Sequence, residues 1–143
     1  MDETMPGIAP DLSTETSRHF WQACIGGRLE MPRCLGCGAL RWYPQPVCPY
    51  CHTRETEWVE LSGRATLFAH TRVHRAFHPG VAGLLPLVSI LAQPEEDRRV
   101  RFVSRLVDFT PEAVRIGMDI RVVFHRLSPE VNMPLFQPAL AAN

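Results

Sequence analysis

The stretch CLGCGALRWYPQPVCPYC, residues 34–51, decides the fold of the first part of this chain. It holds two Cys-x-x-Cys turns that are separated by ten residues. Each turn can direct two thiolates toward a common point, so the pair supplies the four ligands of a tetrahedral metal site. Because sulfur fills all four positions, none stays open for water or substrate. The spacing therefore predicts a structural zinc site with the ligands Cys34, Cys37, Cys48 and Cys51.

Two other fates of these cysteines stay open at this point. Four thiolates also suit iron of the rubredoxin type. Disulfides would need an oxidising compartment, and the opening residues MDETMPGIAP lack the basic segment and apolar run of a secretory signal. The longest mainly apolar stretch, residues 81–93, contains a proline and is far shorter than the ~20 residues that span a bilayer. We therefore expect a cytoplasmic protein without a membrane segment.

The residues before the cysteines predict a short amphipathic helix. Ser13 or Thr14 suits an N-cap, Phe20 and Trp21 follow at helical spacing, and two glycines at 26–27 end the run. A helix of about three turns is marginal alone in water. Its two aromatic side chains must therefore pack on the rest of this chain or on a partner.

The remaining sequence predicts short hairpins and strands. Residues 28–57 predict two hairpins, each with a Cys-x-x-Cys turn at its tip. Apolar and polar residues then alternate over residues 65–73, as in a half-buried strand whose apolar face carries every second residue. PLVSILAQ, residues 86–93, and RRVRFVSRLVD, residues 98–108, predict a hairpin with a solvated acidic tip at residues 94–97.

The end of the chain predicts one more strand pair after a brief helical insert. Thr110 suits the N-cap of that insert, DIRVVFHRL at residues 119–127 predicts a strand, SPEVNMP at residues 128–134 predicts a turn, and residues 135–141 close the chain. About five short strands without βαβ alternation indicate a small barrel. We expect a mainly β protein with a flexible N-terminus and amphipathic helix (1–28), a zinc ribbon (29–57) and a five-stranded OB-fold barrel (58–143).

Composition excludes several classes of function. The chain has 143 residues, with 15 cationic and 15 acidic side chains and a net charge of zero. Every cation is Arg, which excludes Schiff-base chemistry but leaves bidentate binding of phosphate or carboxylate available. Cys24 falls on the apolar helix face, so we expect a buried side chain and no nucleophile. The chain has no Gly-rich phosphate loop, nucleophile elbow or other convincing catalytic set.

The loop that ends the first barrel strand is a candidate for binding a ligand or a partner. The histidines at 70, 74 and 78 recur every four residues, but on a strand that interval spans ~13 Å and excludes a shared metal ion. The loop's cationic and aromatic groups offer charge and stacking to an anionic ligand or a partner protein, although a solvated loop is the simple alternative. With the helix aromatics, the candidate residues are Phe20, Trp21, Arg72, His74, Arg75 and Phe77.

The order of landmarks along the chain is specific. The landmarks are Phe20-Trp21, Gly27-x-Leu29, the two cysteine pairs, Trp58, Ser62-Gly63, His74, Pro79-Gly80, Ile116-Gly117-Met118, Val123-Phe124 and Pro134-x-Phe136. In this order the chain resembles the acyl-CoA-associated OB-fold family, a domain-of-unknown-function family whose members carry an N-terminal rubredoxin-like zinc ribbon. The resemblance covers nearly the whole chain from about residue 16, and all four cysteines of the pattern are present.

The resemblance implies that this chain works with a larger partner. Family members are small subunits of thiolase-superfamily enzymes, namely thiolases, acyltransferases and retro-aldolases that shorten steroid side chains, or companions of MaoC-type hydratases. The partner holds the catalytic residues, and the small subunit supports the assembly and helps to form the channel for coenzyme A. We therefore expect a non-catalytic subunit of a hetero-oligomer, with acyl-CoA at or near the shared interface. Arg72 or Arg75 could there meet phosphate groups.

Two other functions are weaker. A single-stranded nucleic-acid-binding OB module would need a basic groove with stacking aromatics, whereas the net charge is zero and only 8% of the residues are aromatic. An independent acyl-CoA hydrolase would need a nucleophile. We therefore expect neither a nucleic-acid partner nor a membrane partner.

Overall fold

A threonine cap begins the α-helix of the described residues. The computed structural model describes residues 10–139, so the predicted flexible segment before Pro10 and the last predicted residues lie outside the described residues. Helix α1 (Glu15–Ile25) starts where the Thr14 hydroxyl accepts a hydrogen bond from the Ser17 amide at 3.2 Å. It ends at Gly26, and its buried face carries Phe20, Ala23 and Cys24. The prediction of an N-terminal amphipathic helix is confirmed.

Two strands form the ribbon that carries the cysteines. Strand β1 (Glu30–Cys34) pairs antiparallel with β2 (Thr56–Glu60), and Cys34 lies opposite Thr56. The predicted second hairpin is absent from the described residues, because no strand lies between Trp42 and Glu55. Three prolines in that segment, at 44, 46 and 49, cannot donate ladder hydrogen bonds. The first hairpin is also small, with a single bridge between Arg33 and Leu40.

Five strands close into a barrel with the order β3-β4-β5-β7-β6. The strands are β3 (Arg64–Val73), β4 (Leu87–Pro94), β5 (Phe102–Leu106), β6 (Asp119–Ser128) and β7 (Val131–Pro138). Neighbours pair antiparallel except β5 and β7, which are parallel and share one residue pair, Leu106 with Phe136. The predicted five-stranded OB-fold barrel is confirmed. Short 3₁₀ helices at Pro79–Leu84 and Pro111–Ala113 fill two connections.

Two details of the barrel differ from the sequence prediction. A bulge shifts the register of β3 between Leu67 and Ala69, so His70 pairs with the buried Ile90. The strict alternation predicted over residues 65–73 therefore breaks at Phe68. The final strand β7 also begins at Val131, inside the predicted turn, because Val131 already pairs with Ser128 across a tight connection.

The barrel core consists of apolar side chains that point inward from all five strands. Its largest fully buried members are Leu67, Val88, Ile90, Leu106, Ile120 and Phe136. Helix α1 packs on β7, where the buried Asn132 amide donates a 2.7 Å hydrogen bond to the Cys24 carbonyl. Strand β2 extends to Glu60 and still pairs with β1, so the ribbon passes into the barrel over residues 61–63. No helix described here is long and apolar enough to cross a membrane.

Candidate functional site

The four cysteines singled out by their spacing lie together at the end of the ribbon. Their sulfur atoms all lie within 4.8 Å of one another. Cys34 Sγ lies 3.5 Å from Cys51 Sγ, and Cys37 Sγ lies 3.7 Å from Cys48 Sγ. A tetrahedron with Zn–S bonds of about 2.3 Å has sulfur–sulfur edges of about 3.8 Å. The four sulfurs are therefore positioned to bind one metal ion, and the donor set fits a closed four-coordinate site.

Both cysteine turns use the same hydrogen bond to their first sulfur. The Gly36 amide donates to Cys34 Sγ at 3.3 Å, and the Tyr50 amide donates to Cys48 Sγ at 3.4 Å. The backbone amide of Cys37 is the largest cause that lowers the pKa of the Cys34 thiol to about 6, with burial opposing it. Amides that stabilise the thiolate favour the form that binds metal.

Gly36 is required by the close approach of the two turns. A Cβ at this position would overlap the Thr53 hydroxyl and lie 3.1 Å from Cys51 Sγ. Cys34 and Cys48 are buried, whereas Cys37 and Cys51 are exposed. One side of the four-sulfur cluster therefore faces the protein and the other faces solvent.

Arg41 lies inside the ribbon and holds the backbone around the second cysteine turn. The residue is only 2% exposed. Its guanidinium donates hydrogen bonds to three carbonyl oxygens, those of Gln45 at 3.1 Å, Thr53 at 2.9 Å and Arg54 at 3.3 Å. These carbonyls come from both sides of the turn, so one planar group fixes the whole loop. In this loop without strands, Arg41 takes the place of ladder hydrogen bonds.

The acidic tip of the β4–β5 hairpin ties the barrel to the ribbon. Asp97 Oδ2 accepts a hydrogen bond from the Leu40 amide at 3.0 Å, and Glu96 accepts one from the Ser62 amide at 2.6 Å. Burial raises the pKa of Asp97, but hydrogen bonds from Arg99 and the Leu40 amide outweigh burial and hold the pKa below its usual value. The prediction of a solvated tip holds for the exposed Glu95 but is wrong for Glu96 and Asp97, because their carboxylates accept from backbone amides outside the barrel.

An aromatic cluster joins the helix, the ribbon and the barrel. The Phe20 ring of α1 lies 4.9 Å from the Trp42 ring of the ribbon, between centroids, and Trp42 lies 5.1 Å from the Phe102 ring of β5. Trp21 meets Phe20 edge-on at 5.1 Å, and Phe102 reaches the core residue Phe136 at 6.0 Å. The helix aromatics therefore pack on the rest of this chain, which is one of the two alternatives expected from the sequence.

A cleft of about 1400 Å³ opens beside the aromatic cluster. Helix α1, ribbon residues 42–44, the 3₁₀ helix Pro79–Leu84 and strands β5, β6 and β7 contribute to its walls. The walls are mainly apolar and aromatic. Their basic residues are His78, Arg105, His125 and Arg126, and no Asp or Glu of residues 10–139 lines the cleft. A mainly apolar concave site with a few polar groups suits a small molecule or an extended ligand arm.

Comparison with known proteins agrees with this architecture. Residues 21–57 match the rubredoxin-like zinc ribbon domain of ChsH2, and residues 58–125 match the C-terminal OB-fold domain of ChsH2. The chain is also 31% identical over 99 residues to a DUF35 domain-containing scaffold protein of Methanocaldococcus jannaschii, and the match covers 68% of each protein. The chain belongs to the DUF35 family.

A solved structure resembles this DUF35 chain over most of its length. A chain of the "Ltp2-ChsH2(DUF35) aldolase" superposes with a TM-score of 0.76 at 30% identity, covering 94% of this chain and 99% of that chain. A Thermomonospora curvata protein named "Probable enoyl-CoA hydratase alpha subunit" is 32% identical over 134 residues, or 93% of this chain. The match covers 41% of that relative, so the DUF35 chain spans less than half of the relative's length.

The predicted ligand- or partner-binding residues of the DUF35 chain fall in two places. Phe20 and Trp21 line the cleft, but the loop residues do not. Arg72 donates to the Pro111 carbonyl at 3.1 Å, and Arg75 lies 5.4 Å from the centre of the Phe77 ring. His74 is exposed, and Phe77 is 83% exposed. These four side chains are therefore exposed and lie outside the cleft wall, which begins at the next residue, His78.

The sequence did not predict the part that Trp42, Arg105 and Asp97 take in this site of the DUF35 chain. Trp42 and Arg105 line the cleft, and Asp97 joins the barrel to the ribbon. No motif marks Arg105, because the cleft forms only when three parts of the chain meet. For Trp42 a weak signal existed, since an aromatic residue between two cysteine pairs and close to prolines suits a docking position more than a solvated loop.

Proposed function

We propose that this chain is a non-catalytic zinc-ribbon and OB-fold subunit that binds a thiolase-like partner and supports the binding and turnover of an acyl-CoA. The partner is a thiolase, an acyltransferase or a retro-aldolase. The observation that carries the proposal is the match to the "Ltp2-ChsH2(DUF35) aldolase", which covers 94% of this chain and includes both of its parts. The relative named "Probable enoyl-CoA hydratase alpha subunit" supports the subunit role and the acyl-CoA, whereas the thiolase-like class of the partner rests on the resemblance given above.

The thiols of the described residues support a non-catalytic role. Cys24 is fully buried, and burial is the main cause that raises the pKa of its thiol to about 12. A thiol in that state is a poor nucleophile. The other four cysteines belong to the metal site, where we propose zinc in a structural role. Bound zinc there would hold the two cysteine turns together and leave no open position for chemistry.

The cleft and the exposed loop supply two surfaces for the proposed assembly. The cleft is large enough for the pantetheine arm or the acyl group of an acyl-CoA, and it contains Phe20 and Trp21. The loop presents Phe77 with Arg75 beside it, and with His74 and Arg72 it forms the proposed partner or phosphate contact. We place the complex in the cytoplasm, where thiols stay reduced and available to metal. The expected lack of a nucleic-acid partner stays a prediction.

Co-expression tests the proposal directly. The tagged chain is produced with an untagged thiolase-like protein from the same genome. The purified material is analysed by size-exclusion chromatography with light scattering. We expect a stable hetero-oligomer whose acyl-CoA turnover requires both proteins. A chain that stays alone in every such mixture, or a partner with full activity without it, would contradict the proposal.

A matched pair of variants tests the loop. Phe77→Ser removes the most exposed aromatic side chain of the loop, and Ile116→Ser removes a 67% exposed apolar side chain outside the proposed surfaces. We expect weaker co-purification for Phe77→Ser and none of this loss for Ile116→Ser. Equal recovery of partner by both variants would remove the loop from the interface.

A further inference from the structure

The charge in the cleft is one-sided although the chain as a whole is neutral. The chain has 15 cationic and 15 acidic side chains, yet the described lining of the cleft has two arginines and two histidines and no acid. Apolar and aromatic side chains form most of the remaining wall. Such a site is complementary to an organic anion with an apolar body.

The two arginines of the cleft are not equivalent. Arg126 donates to the backbone carbonyls of Ser128 at 3.5 Å and Pro129 at 3.1 Å. Arg105 is half-buried on β5, opposite Ser89, and no described side chain or carbonyl accepts a hydrogen bond from it. Burial lowers the pKa of Arg105, since its charge is partly removed from water. A half-buried cation without a partner is costly, and a bound anion would offset the cost.

We propose that Arg105 binds the anionic group of an amphipathic ligand whose apolar body lies along the cleft, and that this chain does so without its partner. This inference rests on the proposed function, since an acyl-CoA is such a ligand. The shared chemistry is a phosphate or carboxylate on a long, mainly uncharged chain, which is the alkyl chain of a fatty acid or the pantetheine arm and acyl group of an acyl-CoA. The planar guanidinium can bind either anion with two hydrogen bonds. The aromatic walls at Phe20, Trp21 and Phe102 would contact the apolar part.

Isothermal titration of the purified, metal-loaded chain tests the proposal with three probes. Octanoyl-CoA carries phosphates, octanoate carries a carboxylate, and octanoyl-pantetheine is a neutral thioester. The variants are Arg105→Gln, Arg105→Lys, and Arg121→Gln as a control for an exposed arginine of β6 outside the cleft. Circular dichroism and thermal unfolding verify that each variant is folded.

We expect Arg105→Gln to weaken binding of octanoyl-CoA, and of octanoate if any small anion suffices, by about 10- to 100-fold. The affinity for the neutral octanoyl-pantetheine should stay unchanged. Arg105→Lys should retain most of the affinity, and Arg121→Gln should behave like the wild type. A loss confined to octanoyl-CoA identifies phosphate as the group at Arg105, whereas a loss that extends to octanoate identifies any small anion.

Three outcomes would overturn the proposal. They are absence of binding of every probe, equal affinity of Arg105→Gln and wild type for the anions, and an equal loss for the neutral thioester. None of them affects the proposed function by itself, because partner binding is measured separately by co-purification. If the partner co-purifies and the free chain binds no probe, only the role of Arg105 fails.

Discussion

The ribbon and the barrel are ordered by different means. The barrel closes five strands over a continuous apolar core that includes Leu67, Ile90 and Phe136. In the ribbon, residues 42–55 contain no strand, and their backbone is held by the Cys48 and Cys51 turn and by the Arg41 guanidinium. The ribbon therefore depends on a few polar and metal-binding groups, whereas the barrel depends on buried area.

Because the two regions are held by different contacts, substitutions in each should have different effects. A change at the sulfurs should disorder one region and leave the other, while a change in the apolar core should weaken the barrel and leave the sulfurs able to bind metal. The ribbon contacts the barrel through the aromatic cluster around Trp42 and through the hydrogen bond between Asp97 and Leu40. A change at either contact should affect both regions.

The largest effect should follow removal of the metal. Zinc-finger peptides gain an apparent ~10–16 kcal/mol from zinc at neutral pH, which exceeds what the small ribbon can supply from its own contacts. We expect chelation, or Cys48→Ser, to abolish hydrogen-exchange protection at residues 34–55 while the amides of β3, β4 and β6 stay protected. Mass spectrometry of deuterated peptides measures both regions in one experiment.

Cys24→Ala is the matched control for the loss of a thiol. It should keep one metal ion for each chain, because Cys24 lies in α1 and outside the four-sulfur cluster. Full protection of residues 34–55 in the metal-free protein would show that the ribbon does not depend on metal for its order.

The second largest effect should come from the barrel core. Phe136 is 1% exposed and lies at the junction of β5 and β7. Phe136→Ala should lower the free energy of unfolding by about 3–5 kcal/mol through lost burial and the cavity that it leaves. Urea unfolding followed by circular dichroism measures the change, and Ile116→Ala, at an exposed position, should stay within about 0.5 kcal/mol of wild type. One bound metal ion should remain in the folded variant.

A smaller effect should come from Arg41, which supports the metal loop without touching the metal. A four-thiolate zinc site carries a formal charge of minus two, and Arg41 brings a buried positive charge into the same ribbon. We expect Arg41→Met to lower metal affinity by about 10- to 100-fold, as outer-shell changes do elsewhere. Competition with a chromophoric chelator measures the affinity.

Arg33→Met separates charge from hydrogen bonding at Arg41. Arg33 adjoins Cys34 but makes no side-chain hydrogen bond within the described residues. Only Arg41→Met should weaken metal binding if the three carbonyl contacts matter. Equal affinities of Arg41→Met and the wild type would show that the loop forms without this residue.

The smallest effect should come from the contact between the two regions. Asp97→Ala leaves the buried Leu40 amide without its acceptor, and we expect a loss of about 1–2 kcal/mol at pH 7. The folded pKa of Asp97 lies below its ordinary value, so its contribution is present above pH ~4 and is lost as the pH falls through the folded pKa. The difference in stability between wild type and variant should therefore shrink below pH 4.

Thermal unfolding at several pH values measures this difference, with the exposed Asp119→Ala as control. A gap between wild type and Asp97→Ala that stays constant from pH 7 to pH 3 would show that the ionised carboxylate does not carry the contact.

The features that the sequence predicted correctly are those that depend on residues close together along the chain. The cysteine spacing predicted the four sulfurs that the structure brings together. The Thr14 cap and the aromatic residues that follow it predicted the helix. Short strands separated by turn residues predicted a small β-barrel. Each of these signals is local, because a turn, a cap or an alternation is complete within a few residues.

The features that the sequence did not predict arise from contacts between distant segments. The bulge after Leu67 turns His70 toward the buried Ile90, and its signal lies in the pairing with β4 and not in β3 itself. The acidic tip looks like any solvated turn until Leu40 and Ser62 approach it. Arg105 became a candidate only when the structure placed it in a cleft whose described lining, within residues 10–139, has no Asp or Glu.

The single parallel pair between β5 and β7 has a mechanical consequence. Val107 donates to the Phe136 carbonyl at 2.8 Å, and the Ser104 hydroxyl donates to the Pro134 carbonyl at 2.8 Å, so few hydrogen bonds close this seam. Long antiparallel ladders close most of the other joints of the barrel. Residues 102–105 and 133–135 flank the seam and also line the cleft. The barrel should therefore deform most easily between β5 and β7, beside the cleft. A bulky ligand in the cleft could separate these two strands while the longer antiparallel ladders keep their register.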